Sequence, residues 1–564
     1  MDLKKVVSTF PPQILTAAFA AVCGFVTFKL LAYHLNLVLF PWPIQLRETA
    51  NLLSTSLLLK GGNPYALVNQ PLYTNVYGLL YNLVTYPVAA LFGPTLAVHK
   101  SVAGVFTLGC CLVTYWMLRG GGVTRTLSWS GSLVVYIALL VGKTSLAEPD
   151  SLGLFFYLLT IAIAVRCNFS RWGLAASGLA GIAGFYTKPY FILGIPLVAF
   201  YLVLFVNRKK GILYTIGTAS AFILSAVAVS ALCETYFYNT FLIHRNVAGK
   251  DVNLMLMQWA TFGRQLTEVL AALSIAVCAM ALSVLAARRG RVGAPAADGQ
   301  GKSPLSPLRK GGDVRPLSPH WMEETLTPRN SLMNLGHGGD VPGTGQSPVI
   351  VSLPLFALVL VACVFTFKLG LHDGAYMTYL YQLVAPLFVL SVFPLLDRAG
   401  AWSYLILPLL ALNLLRTSAA YSDLDNAFGP KDRANWEKAA TYVSSHRNVL
   451  NSAAVAPLLF AQGKPLYDSG QSQYFSCGLE QPPPFGFLFP RVEEVRGQSA
   501  RYREDIVAAI KAKKFDLLML DRSFSKWIAP EELFPQYYTH RDVVTLYMPH
   551  MGYHWQIDIW EPKQ

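Results

Sequence analysis

The chain has 564 residues, of which 54% are hydrophobic and 13% charged, and its mean hydropathy is +0.42. So apolar a composition excludes an ordinary soluble enzyme and points to a polytopic membrane protein. The net charge of +14 comes mostly from short basic clusters between apolar runs, a pattern of orientation in a bilayer and not of nucleic-acid binding.

Lys4 and Lys5 precede the first apolar run, Gln13 to Phe40. With no small-residue cleavage site in view, this run reads as a retained span with its N-terminus in the cytoplasm. Pro41 and Pro43 stop a helix from continuing, because proline lacks an amide proton and clashes with the preceding turn. Thr49 to Lys60 then reads as a helix that Gly61 and Gly62 terminate. Glu48 falls in its first turn, where the helix dipole favours an acid. The plain reading is a helix-start acid; the sharper one is a working carboxylate at the membrane surface.

The next apolar stretch, Leu72 to Phe92, decides the topology. If it crosses, Arg119, Arg125, Arg166, Arg171, Arg208, Lys209 and Lys210 all fall outside, against the positive-inside rule. If it does not cross, every one of those residues moves inside. Its Asn75, Gly78, Asn82 and Pro87, and its tyrosines 73, 77, 81 and 86, suit helices lying on the outer face. The further spans are read as 99–118, 127–143, 151–166, 172–187, 190–206, 212–234, 266–287, 349–368, 376–396 and 401–418. That makes about eleven at the usual ~20 residues each, several of them short, and it puts the C-terminus outside.

Residues 288–348 are rich in Gly, Pro, Ser and Arg and repeat GGDV. They read as a disordered cytoplasmic insert that cannot bury enough apolar surface to fold. From about residue 421 the chain turns soluble in character. Helices over Arg433–His446 and Arg501–Lys514, with strands over Phe515–Leu520, Asp542–Met548 and Trp555–Trp560, predict a small α/β domain over 421–564 on the outer face. No glycine-rich phosphate loop opens its helices, so no cofactor is assigned to it. Seven of the eight cysteines lie in or beside apolar runs and read as packing residues; Cys477 alone lies in a soluble stretch.

The charged groups left for chemistry sit at the outer ends of spans. Asp150, in EPDSLGLFF, reads first as a helix N-cap, a role compatible with binding a cation. Lys188, in GFYTKPYF, breaks an apolar region, where a lysine either snorkels or works. His244, Arg245 and Lys250 crowd one outer loop, and Lys368, His372 and Asp373 another. A few acids and several bases on helix ends suit a lipid phosphate meeting a polar acceptor. Lys188, Arg245 or Lys368 would stabilise an anionic leaving group, and Glu48 or Asp150 would activate a hydroxyl.

Five stretches, RETANLL, GGNPY, PLYTNVYGLLYNLV, EPDSLGLFFYLL and GLAGIAGFYTKPYFILGIP, come in an order that resembles the GT-C superfamily of membrane glycosyltransferases. The nearest plan is that of the bacterial protein mannosyltransferase and aminoarabinose transferase relatives. The resemblance covers most of residues 13–270. It implies a GT-C-like membrane domain over 1–420, with juxtamembrane helices in the first outer loop (41–98), in a bacterial inner membrane. It implies sugar transfer from a polyprenyl-phosphate donor to an acceptor hydroxyl on a lipid, saccharide or protein at the extracytoplasmic face. On that pattern Glu48 and Asp150 are the catalytic acids, and Lys188, Arg245 and Lys368 hold the donor phosphate. His244, His372 and Tyr65 are further candidates. Glu48 and Asp150 are also the pair for a divalent cation, Mg or Mn, which some relatives use. Arg47 departs from the pattern, since many relatives carry an acid there. Two other classes of function remain beside this one: a transporter or flippase of a lipid-linked saccharide, and a GT-C-fold assembly subunit without catalysis.

Overall fold

A computed structural model describes residues 12–141, 147–243, 358–359, 361–366, 378–398, 401–422, 428–472, 491–521, 527–549 and 553–564, with single residues 253, 256, 257, 260 and 475. The expected span 266–287, the insert 288–348 and, of the expected span 349–368, residues 349–357, 360 and 367–368 lie outside these.

The described chain is mostly helical. Among the described residues four helical stretches are long and apolar enough to cross a membrane: Gln13–Leu39, Leu96–Gly120, Pro189–Val206 and Arg208–Leu232. We label the helices in chain order. Helix α1 is Pro12–Leu39, α2 Glu48–Leu59, α3 Leu80–Phe92, α4 Leu96–Gly120, α5 Arg125–Val141, α6 Asp150–Arg166 and α7 Arg171–Thr187. A 3-10 turn, Pro189–Leu193, leads into α8, Gly194–Tyr201, and α9 is Arg208–Leu232. Three more, α10 (Thr378–Leu383), α11 (Ala385–Arg398) and α12 (Ala401–Tyr421), close the bundle. The helices α5, α6 and α7 have 17 residues each, about 26 Å at ~1.5 Å per residue, and are shorter than α1, α4 and α9.

Contacts at the helix ends give the bundle two unlike faces. On one face the end of α1 meets the start of α4, where the Lys100 ammonium donates to the carbonyls of Phe40 and Trp42 at 2.9 and 3.0 Å. The start of α6 meets the end of α7 through Asp150 and Lys188. The end of α9 meets the first loop, where Asn63 donates to Leu232 O. The start of α10 to α11 joins the same face through Gln382. On the opposite face lie the turns bearing Arg119, Arg125, Arg166, Arg171, Arg208, Lys209 and Lys210, and Asp397 accepts there from the Thr124 amide. Consecutive spans thus run in alternating directions only if α2 and α3 stay on one face. The 13 residues of α3 are about 20 Å long, short of a ~30 Å hydrocarbon layer.

The C-terminal unit sits on the face away from those basic turns. It contains α13 (Pro430–Ser445), α14 (Ala456–Ala461), α15 (Val492–Lys511) and the short α16 (Phe534–Tyr537). Its sheet has the order β1-β2-β4-β3, with β1 Val449–Asn451, β2 Leu517–Asp521, β3 Tyr538–Met548 and β4 Tyr553–Pro562. Strands β1 and β2 are parallel and the other pairs antiparallel. Side chains alternate across a strand, so Leu517 and Met519 face one core with Trp436 of α13, while Leu518 and Leu520 face another with Ile506 and Ile510 of α15. The sheet is therefore covered on both sides. Phe40, Ile44 and Leu46, from the end of α1 and the turn after it, belong to the Trp436 core, which welds the unit to the membrane helices. The sequence reading missed β1, too short to show a period, and began α15 at Arg501 when it starts at Val492.

Candidate active site

The loop between α1 and α4, the α5–α6 loop and the α7 end converge on one buried polar cluster. Helix α2 has Arg47 as its N-cap, with no side-chain cap bond. Glu48, its first residue, is fully buried and turns back to the chain before the helix and across to the α5–α6 loop. Its Oε2 accepts the amides of Ile44 and Gln45 at 2.7 and 3.3 Å, and its Oε1 accepts that of Ala147 at 2.9 Å. Asn51, one turn along, donates to Ala147 O at 3.0 Å. Glu48 thus staples the start of α2 to the α5–α6 loop. Both oxygens of Glu48, the expected base, accept from backbone amides. Glu48→Gln puts an amide NH2 opposite those donors and is expected to cost about 1–3 kcal/mol of stability, read by thermal unfolding in detergent.

Asp150 opens α6 and is 3% exposed. Lys188, the extended residue ending α7, reaches both its oxygens at 2.9 and 3.0 Å. Tyr190 and Gln382 also bond to Asp150 Oδ1, at 2.7 and 3.0 Å. The Lys188 ammonium lies 4.8 Å from the Tyr77 ring centroid and 5.3 Å from that of Tyr190, so two aromatic faces share its charge.

Glu148 completes the cluster. Tyr77 donates to its Oε1 at 3.2 Å, and Arg47 lies beside the same hydroxyl. Burial, then the Asp150 charge, pushes the Glu148 carboxyl up from 4.5 to about 8, against the opposing pull of Lys188 and Arg47. Among the described residues Glu148 has fewer hydrogen bonds to its ionised form than Asp150 has, so little offsets the cost of burying its charge.

The loop that holds Tyr77 is fixed by close backbone packing. The Gly78 amide donates to Thr187 O at 3.0 Å, and a Cβ on Gly78 would stand 1.9 Å from Tyr186 O. Tyr65 donates to Tyr77 O at 2.7 Å and so acts as a strut for this loop. The C-terminal unit reaches in from the other side. Gln471 accepts the Val76 amide at 2.6 Å. Gly470, at φ +85°, sits so close to Leu46 that a Cβ would lie 2.5 Å from its carbonyl oxygen.

Of the expected site residues, the structure brings together Glu48, Asp150 and Lys188. His244, Arg245, Lys368 and His372 lie outside the described residues. The Glu48–Asp150 pair does not fit a divalent cation, because amides take up the first carboxylate and Lys188, Tyr190 and Gln382 the second. No group of three His, Cys, Asp or Glu side chains suits a metal among the described residues. Sequence reasoning passed over Tyr77, Glu148, Tyr190 and Gln382. Glu148 stood two residues before Asp150, and a second acid at a span mouth was its signal. Gln382 showed only as a polar residue in an apolar helix.

No protein-family model, curated protein or solved structure matches the chain, and the cluster is read from its own geometry.

Proposed function

We propose that the chain is a membrane glycosyltransferase of GT-C-like plan that moves a sugar from a polyprenyl-phosphate donor to an acceptor hydroxyl. The observation that carries this reading is the buried cluster at the helix ends. There Glu148, a carboxyl with a raised pKa and only one hydrogen-bonded oxygen, sits beside two cations. Perturbed carboxyls between cations mark sites of proton transfer and anion stabilisation. In the reaction, Glu148 takes the acceptor hydroxyl proton as the acceptor oxygen bonds to the sugar carbon. The bond from that carbon to the phosphate oxygen breaks, and the lipid phosphate leaves as an anion. Lys188 and Arg47 stabilise the charge developing on it. Asp150 orients Lys188, and Glu48 holds the loop that carries Glu148.

The face opposite the cluster bears the basic turns. By the positive-inside rule this supports a cytoplasmic placement for those turns and an extracytoplasmic one for the cluster and C-terminal unit. About eleven spans, counting the stretches outside the described residues, fit this arrangement. The test is transfer of labelled sugar from polyprenyl-phosphate sugars in membranes containing the full chain, together with the lipid-linked sugar that accumulates when the protein is removed. Accumulation of one such donor supports the reading. Movement of a lipid-linked saccharide across the bilayer without any sugar transfer overturns it.

A further inference from the structure

We infer that a second site, separate from the carboxyl cluster, holds an anionic phospholipid between the membrane helices and the C-terminal unit. A cavity of about 790 Å3 lies there, a size typical of small-molecule sites. Its walls come from the end of α1, the outer side of α2, the start of α4, and α14 with the turn after it. The ends of two of the four candidate membrane helices, at Leu39 and Leu96, both line it. The cavity therefore sits where the apolar helices stop, at the depth of lipid headgroups.

The wall chemistry sorts into a chain and a head. Leu53, Leu72 and Leu458 make the interior apolar, and no acid lines it among the described residues. Lys60, at the C-terminal end of α2, is exposed and stands at the wall. Lys464 is the other basic lining residue, but its ammonium is consumed by the carbonyls of Val443, Ser444 and His446. Among the described residues Lys60 is thus the lining cation left for a ligand, above an apolar slot wide enough for an acyl chain. Apolar residues near the rim continue the surface toward lipid: Leu39, Leu91 and Phe92 are 67%, 78% and 72% exposed.

Helix periodicity keeps this site apart from the cluster. At 100° per residue, Glu48, Asn51 and Thr55 of α2 share one face and Leu53, Ser56 and Lys60 another. The first set is buried toward the cluster and the second lines the cavity. A lipid seated against Lys60 therefore bears on the helix that carries Glu48 without touching Glu148.

The test uses the full chain in nanodiscs with phosphatidylglycerol carrying a photoactivatable acyl chain, and phosphatidylcholine with the same chain as comparison. Labelled peptides are mapped by mass spectrometry. Phosphatidylglycerol is expected to label 38–60, 94–97 and 457–466 at least several-fold more than phosphatidylcholine does. Lys60→Glu is expected to lower that labelling about tenfold, the worth of ~1.4 kcal/mol. Ala461→Trp, which narrows the cavity from the C-terminal side and keeps Lys60, is expected to lower it as well. Glycerol phosphate at equal concentration is expected not to compete. Equal labelling by both lipids, labelling unmoved by both substitutions, or full competition by glycerol phosphate overturns the proposal.

Discussion

Glu148→Gln is expected to lower sugar transfer by about 10²–10⁴-fold, the usual contribution of a positioned proton acceptor. The wild-type rate is expected to rise with pH around a midpoint near 8, following ionisation of the buried carboxyl, while the residual rate of the variant stays flat over that range. Stability moves the other way. Between about 4.5 and 8 the folded chain binds a proton at Glu148 that the unfolded chain has released. The group's contribution to stability is therefore complete below about 4.5 and is lost as pH rises through about 8. The glutamine carries no such loss, so the variant is expected to melt at or above the wild-type temperature at pH 9. A variant that keeps full transfer activity removes Glu148 from the chemistry.

Lys188→Met has the second large effect. The pair it breaks is nearly sealed from solvent, with side-chain exposures of 11% for Lys188 and 4% for Asp150. Removing one partner leaves an uncompensated charge and is expected to cost about 3–5 kcal/mol. The double variant Lys188→Met/Asp150→Asn is expected to recover most of that loss in thermal unfolding, because the stranded charge goes too. It is not expected to recover activity, since the cation that stabilises the leaving phosphate is still absent. The Asp150 charge raises the Glu148 carboxyl more than Lys188 lowers it, so any residual activity of the double variant is expected to show its pH midpoint at or below 8. A double variant as unstable as the single one shows that Lys188 matters through packing and not charge.

The elements written into local pattern are the ones the sequence made legible. The long runs at Gln13–Leu39, Leu96–Gly120 and Arg208–Leu232 declare themselves through apolar length. The break at Lys188–Pro189 and the acid at Asp150 stand out as charges in apolar surroundings. Even the placement of Leu72 to Phe92 on one face followed from the arginines further along the chain. What stayed hidden depends on contacts between distant residues. Gln382 meets Asp150 across 232 positions and Gln471 meets Val76 across 395, and nothing local announces either. Glu48 was placed correctly at a helix start, but its task depends on Ala147, 99 residues away. Tyr77 read as an interfacial aromatic because composition cannot tell a ring at the headgroups from a ring beside an ammonium.

The contact of Gln471 and Gly470 with the loop between α1 and α4 has a bearing on how the protein comes to work. Those two residues are synthesised long after the helices whose loops they touch. Until they arrive, the bond from the Val76 amide to Gln471 is not made and the loop carrying Tyr77 is not yet braced from that side. A half-made chain thus carries its acids and lysine but not their final setting, and competence begins when the last quarter of the polypeptide has folded and docked.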